Sequence, residues 1–557
     1  MKSKSSYFYS FLINLALIFL GALLFAASFP NLFIEKGLFI LAFFIYIPVF
    51  LVIKRSGIVS CVFWGAIYGY ASYGLFNYWL SVFHPLAGLI VHSIYMVYMA
   101  FLFPLLKLAI ILFPKRGFLV QWAIWISYEY LKIQGFLGYA YGITAYSQWT
   151  NIPIIQIASI TGIWGVSALV VFPSTWFAAA LGETLGEALG KALGEAKNNI
   201  LLALKTFFKR EWIAGLVWFL LLCISLVFGI LSQIDYTEAP KTKMALIQHN
   251  TDPWRGGIHQ YRLNFEVLSR LSDEAIMENP DLDLVVWSET AFVPRIYWHT
   301  NYRDDPSSWV LVRDLLDYLE LQDIPFIIGN DDARKDPSIN PYGDNRIDYN
   351  AAMLFERGLN TKIYRKLHLV PFTEHFPYQK QLPWVYQALR DADTHFWEKG
   401  NEATVFEIQS RSGAGTIRFS TPICFEDTFG YITRDFVKNG ADIIVNLSND
   451  AWSASLPAQN QHLAMAVFRS VENRRSMVRS TASGQTCAVD PNGRIIGLAK
   501  PFSEAWTAPE VPLMSVSTFY TRNGEWLALF FLCTSIMLLI FGICRVIIKR
   551  KLRLHHE

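Results

Sequence analysis

Charge is what this sequence has least of. Only 17% of its 557 residues are Asp, Glu, Lys or Arg, while 53% are hydrophobic. That balance excludes an ordinary soluble enzyme and fits a membrane chain with room for more than one domain. The net charge of +3 supplies no basic footprint for nucleic acid, so none is expected as a partner. Cysteine is also scarce, with six in the chain. Cys61, Cys223, Cys533 and Cys544 lie in apolar runs, leaving Cys424 and Cys487 in the polar part. A disulfide framework is excluded, and only a pairing of those two stays open. Cys487 sits in a plain strand-like run, Thr486-Cys487-Ala488-Val489. His84, His92, His249, His368 and His462 show no metal-ligand spacing, and no P-loop or Rossmann glycine pattern occurs, so no metal and no cofactor is expected.

Long hydrophobic runs are abundant. The first, from Phe11 to about Phe29, follows Lys2 and Lys4 and could end in cleavage at Ala26-Ala27-Ser28. Further runs follow at about 37–53, 57–80, 87–113, 117–134, 160–180 and 212–234, so a retained first helix is the simpler expectation. A last run lies at about 526–548. Each is near the ~20 residues that cross a bilayer, which predicts seven spans before a polar region and one after it. Crossing each in turn places Lys2, Lys4, Lys54, Arg55, Lys115, Arg116, Lys205, Lys209, Arg210 and the tail Lys549-Arg550-Lys551 on one side. Lys and Arg in short loops mark the cytoplasmic face. The expected layout is a transmembrane domain over 1–235, an extracytoplasmic domain over 236–520, and a C-terminal helix with a basic tail over 521–557, in a cytoplasmic (inner) membrane.

Between the sixth and seventh runs Leu-Gly recurs every four residues, from Leu181-Gly182 to Leu193-Gly194. Glycine at that density costs about 0.5–1 kcal/mol per position in a helix, so a weakly helical cytoplasmic linker is expected near 181–199. The polar region alternates strands and helices. Strands are predicted at 244–248, 283–287, 325–329, 349–355, 361–366, 442–447 and on both sides of Asn492-Gly493, with helices at 258–278, 307–321 and 457–474. Such alternation argues for a layered α/β domain.

Ile417, Phe419, Thr421 and Ile423 alternate with polar or proline positions, so Cys424 falls where a strand ends and before Glu426 and Asp427. A thiol at a strand-to-helix turn can expose its sulfur beside backbone N–H donors; by itself it is more often a packed core residue. Two other strand ends carry chemistry. Val285-Val286-Trp287-Ser288 leads to Glu289, and Tyr364-Arg365 leads to Lys366. A carboxylate able to take a proton, an ammonium able to stabilise a thiolate or an oxyanion, and a thiol form a workable set for acyl transfer.

The order Glu289, Lys366, Cys424 resembles the catalytic triad of the nitrilase superfamily. The flanks Lys366 through Thr373-Glu374-His375-Phe376-Pro377, Cys424-Phe425-Glu426, Ser448-Asn449-Asp450-Ala451-Trp452 and Arg479-Ser480-Thr481 resemble the apolipoprotein N-acyltransferases, its membrane-bound branch. The resemblance implies a polytopic helical membrane domain plus an α-β-β-α sandwich. It implies Glu289 as general base, Cys424 as nucleophile, and Lys366 with the N–H after Cys424 as oxyanion donors. It also implies supporting places for Trp254, Glu374, Phe425 and Glu426; the family often has tyrosine where Phe425 stands. The implied partners are a phospholipid acyl donor, a diacylglyceryl apolipoprotein acceptor and the surrounding membrane lipids, with no cofactor. A membrane-tethered amidase hydrolysing a small substrate is the alternative reading. A transporter with an inert domain ranks below it, because it would need ionisable residues in several spans and Glu129 and Lys107 are the few candidates.

Phe376-Pro377-Tyr378 and Leu382-Pro383-Trp384-Val385-Tyr386 make an aromatic, proline-broken segment. It reads either as an arm that meets the bilayer and admits acyl chains or as a segment packed on the domain.

Overall fold

The computed structural model describes residues 4–83, 85–188, 196–252, 255–336, 346–391 and 394–554. The chain forms two compact units, one of Met1–Gln134, Gly138–Gln233 and Glu525–Glu557, the other of Gly135–Leu137 and Ile234–Gly524.

In the first unit, among the described residues, six helices are long and apolar enough to cross a bilayer: Tyr7–Ser28, Ile58–Phe76, Leu86–Leu112, Ile163–Gly182, Leu204–Leu231 and Trp526–Leu552. Apolar side chains such as Phe19, Leu23, Leu220 and Ile540 stay exposed, as they do where hydrocarbon is the solvent. Two of the eight expected spans are therefore corrected. The run at 37–53 is broken into a short turn at Leu41–Phe43 and a nine-residue helix, Ile47–Arg55, whose Pro48 suits a first helical turn. The run at 117–134 gives the 15-residue helix Gly117–Leu131. At 1.5 Å per residue that is about 22 Å, short of the ~30 Å hydrocarbon core. Its buried Val120, Ala123, Ile124 and Ile126 make it part of the unit's interior. Glu129 on that helix is buried and accepts from Thr144 N at 3.0 Å and the Ser167 hydroxyl at 2.6 Å, while Lys107 donates to the Lys54 carbonyl at 2.9 Å. Both ionisable groups thus have fixed local partners. Of the Leu-Gly tract, Leu181 through Ala188 prolongs the helix from Ile163, and 189–195 lie outside the described residues.

The second unit is a two-sheet sandwich. Its strands are β1 (Lys241–Gln248), β2 (Leu284–Trp287), β3 (Phe326–Lys335), β4 (Arg346–Glu356), β5 (Leu359–Arg365), β6 (Phe406–Gln409), β7 (Thr416–Ser420), β8 (Ile443–Ser448), β9 (Ser476–Thr481), β10 (Cys487–Val489), β11 (Ile495–Ile496), β12 (Ala505–Thr507) and β13 (Glu510–Pro512). One sheet runs β12-β1-β2-β3-β4-β5 with β13 also on β1; the other runs β11-β10-β9-β8-β7-β6. β1, β2 and β3 pair in parallel, as do β7, β8 and β9, and parallel neighbours need helical crossovers.

Those crossovers supply the outer layers. Helices Ile258–Glu278 and Pro306–Glu320 bury Phe265, Leu268, Leu271, Leu311 and Leu315 against Ala245, Val285, Trp287, Phe326 and Met353 of the first sheet. Asp305 caps the second of these through Ser307 N, with Pro306 in the first turn. Helix Leu456–Asn473, capped by Ser455, is buried from Pro457 to Asn473. Between the sheets the Ser480 hydroxyl of β9 lies 3.0 Å from the carbonyls of Ile247 on β1 and Val286 on β2. The architecture is α-β-β-α.

Candidate active site

Strand β7 delivers the cysteine. Its alternation buries Ile417 and Phe419 and leaves Thr416 and Arg418 out. Pro422 cannot donate to a ladder, so after one further bridge from Ile423 to Leu447 the strand ends. Cys424 then takes φ +50°, a left-handed conformation that costs a non-glycine residue about 1–2 kcal/mol. Surrounding bonds hold it there. Residues Cys424–Thr428 form a tight helical turn, and the carboxylate of Glu426 accepts from Ile423 N at 2.7 Å, Leu367 N at 2.7 Å, His368 N at 2.9 Å and the Tyr364 hydroxyl at 2.8 Å. One side chain therefore ties the cysteine turn to the segment that follows Lys366. Burial pushes the Glu426 carboxyl up to about 7, against the pull of those N–H groups and of Lys366.

Glu289 stands just past the end of β2. Its backbone packs so tightly on β3 that a Cβ at Gly329 would come within 2.8 Å of the Glu289 Cα and 2.3 Å of the Ser288 carbonyl. Its Oε1 accepts from Asn350 Nδ2 at 2.9 Å and from Lys366 Nζ at 3.1 Å. Lys366 is fully buried. Its Nζ also donates to Glu374 Oε1 at 2.9 Å, and Glu374 Oε2 accepts from Val370 N at 2.9 Å. A Cβ on Gly400 would meet the Arg365 carbonyl at 2.2 Å, so only glycine lets the segment before β6 back Lys366 so closely. Burial alone lowers the lysine, but Glu289, Glu374 and Cys424 outweigh it and hold the ammonium above its usual range. Burial in turn raises Glu374, with Lys366 opposing.

Cys424 is half-buried and reduced, and Cys487 is buried and reduced, so the pairing left open by the sequence does not form. Burial, with Glu289 adding to it, pushes the Cys424 thiol up to about 12 against the attraction of Lys366 and His462. At neutral pH the sulfur is protonated and needs a base. The site thus brings together Glu289, Lys366 and Cys424, with Glu374 and Glu426 bonded around them.

Phe425 is buried, with ring centroids 5.0 Å from Phe429 and 5.9 Å from His368. It packs in an aromatic cluster and offers no hydroxyl. Trp254 lies outside the described residues.

Asn350 and Tyr364 escaped the sequence reading. The antiparallel pairing of β4 with β5 sets Ala351 opposite Arg365, which carries Asn350 next to Lys366, whose N–H bonds the Asn350 carbonyl at 2.8 Å. Only that register could have revealed it.

Residues 243–519 match the family model described as carbon-nitrogen hydrolase, and residues 21–176 match the apolipoprotein N-acyltransferase N-terminal domain. The sandwich unit is a carbon-nitrogen hydrolase domain of the nitrilase-like kind. A solved carbon-nitrogen hydrolase from Helicobacter pylori is 14% identical, covers 52% of this chain and 94% of its own, and has a TM-score of 0.34. Apolipoprotein N-acyltransferase 1 of Treponema denticola is 42% identical over 99% of this chain and 98% of that protein. Its counterpart from Treponema pallidum is 44% identical over 94% and 95% respectively. The chain belongs to the apolipoprotein N-acyltransferase family.

Proposed function

We propose that this acyltransferase moves an acyl chain from a phospholipid, through a thioester on Cys424, to the α-amine of the diacylglyceryl-cysteine that begins an apolipoprotein. The observation that carries the reading is a half-buried thiol on a strained turn, within electrostatic reach of a carboxylate that is already hydrogen-bonded to a buried ammonium. Glu289 takes the Cys424 proton as sulfur attacks the ester carbon; the carbon–oxygen bond breaks and Glu289 returns the proton to the lysophospholipid oxygen. In the second half the amine attacks the thioester carbon, the carbon–sulfur bond breaks, and Glu289 relays a proton from nitrogen to sulfur. Lys366 has three N–H bonds, two of them spent on Glu289 and Glu374, so one remains for the oxyanion, beside the N–H that follows Cys424. Glu374 and Glu426 hold these groups in place.

The aromatic arm at 376–391 supports a lipid substrate. Its helix Pro383–Asp391 buries no residue, and Leu382 and Trp384 expose apolar surface. Apolar side chains held in the open suit contact with acyl chains.

The catalytic domain lies, on this reading, outside the cytoplasm. Five long helices precede the sandwich, and counting the two shorter hydrophobic segments makes seven. Both numbers are odd, so a cytoplasmic N-terminus gives the same side for the sandwich either way. In intact spheroplasts a cysteine at the exposed Arg357 is expected to react with an impermeant thiol reagent, and one at the exposed Arg550, in the basic end of the last long helix, is expected to react only after lysis. The reverse pattern would overturn the orientation.

A further inference from the structure

Asp427 sits three residues beyond Cys424 on the same turn and is fully buried. Its Oδ1 is 2.7 Å from His462 Nε2, and its Oδ2 pairs with Arg479 Nη1. The other ring nitrogen, Nδ1, is 2.9 Å from Asp450 Oδ1, which also accepts from the Ser448 hydroxyl at 3.1 Å. Asp450 Oδ2 lies 3.6 Å from Arg479 Nη2. The four ionisable side chains come from the cysteine turn, the loop after β8, helix Leu456–Asn473 and β9, and none is more than 4% exposed.

A neutral imidazole carries one N–H and one lone pair. Between two carboxylates it would aim that lone pair at an acceptor and leave the quartet with a net buried negative charge, which is strongly unfavourable. With both nitrogens protonated, two anions face two cations and every close contact is a donor meeting an acceptor. We infer that His462 is held as an imidazolium between Asp427 and Asp450, and that this neutral quartet is the positioning device that fixes the Cys424 turn and keeps positive charge beside its sulfur. The inference rests on Cys424 being the nucleophile.

The device complements the one described above. Glu426 anchors the turn toward Lys366, and Asp427 anchors it toward the helix behind. The strained residue at the head of the turn is thereby held from both sides. His462 and Lys366 favour the Cys424 thiolate, while Glu289 and Asp450 oppose it. Arg479 and Asp450 also act on the buried Cys487 of β10. Removing the imidazolium charge tips the balance toward thiol. Removing one carboxylate charge as well restores it.

The test uses the full-length protein in detergent and three readouts. Peptide-resolved alkylation by iodoacetamide gives the reactivity of Cys424 apart from any lipid chemistry. His462→Gln is expected to slow that alkylation at pH 8 by about tenfold, and the double variant His462→Gln/Asp450→Asn is expected to recover most of it. A packing role alone predicts that the double variant is no faster than the single one, and that result overturns the inference. Nitrogen-15 histidine spectra of the unsubstituted protein provide a second check: the signal missing from folded His462→Gln should show two protonated nitrogens from pH 6 to pH 9. A neutral tautomer in that range overturns the inference. Acyl-adduct formation from phospholipid is the third readout. Alkylation that depends on His462 in a protein forming no lipid adduct refutes the acyl-transfer reading and leaves the quartet standing. Adducts that form equally fast with and without His462 refute the quartet alone.

Discussion

Cys424→Ala is expected to reduce acyl transfer to background, below a few per cent of the unsubstituted rate, and Glu289→Gln and Lys366→Met are each expected to fall to nearly the same floor. The geometry explains why three different deletions converge. Lys366 Nζ bonds Glu289 at 3.1 Å, and both act on a thiol pushed up to about 12, so on the proposed mechanism each residue works only in the presence of the others. Groups that act as a unit are not additive. Glu289→Gln should differ from Cys424→Ala in one respect. With the base gone, the reactive thiolate must come from equilibrium ionisation, and below the thiol's elevated value its fraction rises about tenfold per pH unit. Residual turnover of Glu289→Gln should therefore climb between pH 7 and pH 9, while Cys424→Ala stays flat. Cys533→Ala, an exposed cysteine of the last long helix, should leave activity in place. More than a few per cent of activity in Cys424→Ala would mean that another nucleophile does the work.

The parts of the site that were legible in the sequence are those carried by short stretches. Cys424 could be found because Ile417, Phe419 and Ile423 alternate up to it, and Glu289 because an unbroken apolar strand runs into it. Glu374 and Glu426 were legible only through the family resemblance of their flanks. The quartet behind the cysteine was not legible, since Asp427, Asp450, His462 and Arg479 stand on four separate elements and none has a neighbour in sequence that betrays a partner. Strand β3 extends past its predicted end at residue 329 to Lys335, because Asn330, Asp331 and Asp332 look like a loop until their partners are seen. Asn330, for example, donates to the Phe292 and Pro294 carbonyls at 2.5 and 3.0 Å. β6, β12 and β13 are four, three and three residues long, too brief for a period of two to register. In the helical unit, hydropathy located the apolar runs but not their lengths as helices. The helix from Gly117 stops at Leu131 ahead of Gly135, whose φ is +73°, and composition averaged over a window carries no trace of such an end.

Incubation of the purified protein with phospholipid alone should add the mass of one acyl chain, and the modified peptide should be the one containing Cys424. On the proposed mechanism the intermediate persists when no acceptor amine is present. A thioester made by attack of sulfur on an ester can be resolved by an amine or by water, and the turn that carries Cys424 is flanked by the buried Phe425 and Phe429, apolar neighbours that disfavour water beside the sulfur. Excluding water slows hydrolysis without affecting an amine delivered on a lipid. Neutral hydroxylamine should remove the adduct, since it cleaves thioesters and spares amides. A diacylated lipopeptide with a free N-terminus should discharge it and appear as the N-acylated product, whereas the same lipopeptide blocked by N-acetylation should leave it in place. An amidase built on the same three residues would behave differently at the first step, releasing free fatty acid continuously or ignoring the lipid, and an inert domain would never take up the mass. Folded protein in which Cys424 remains unmodified after exposure to phospholipid would sink the thioester mechanism and the lipid donor together, while leaving membership of the family intact.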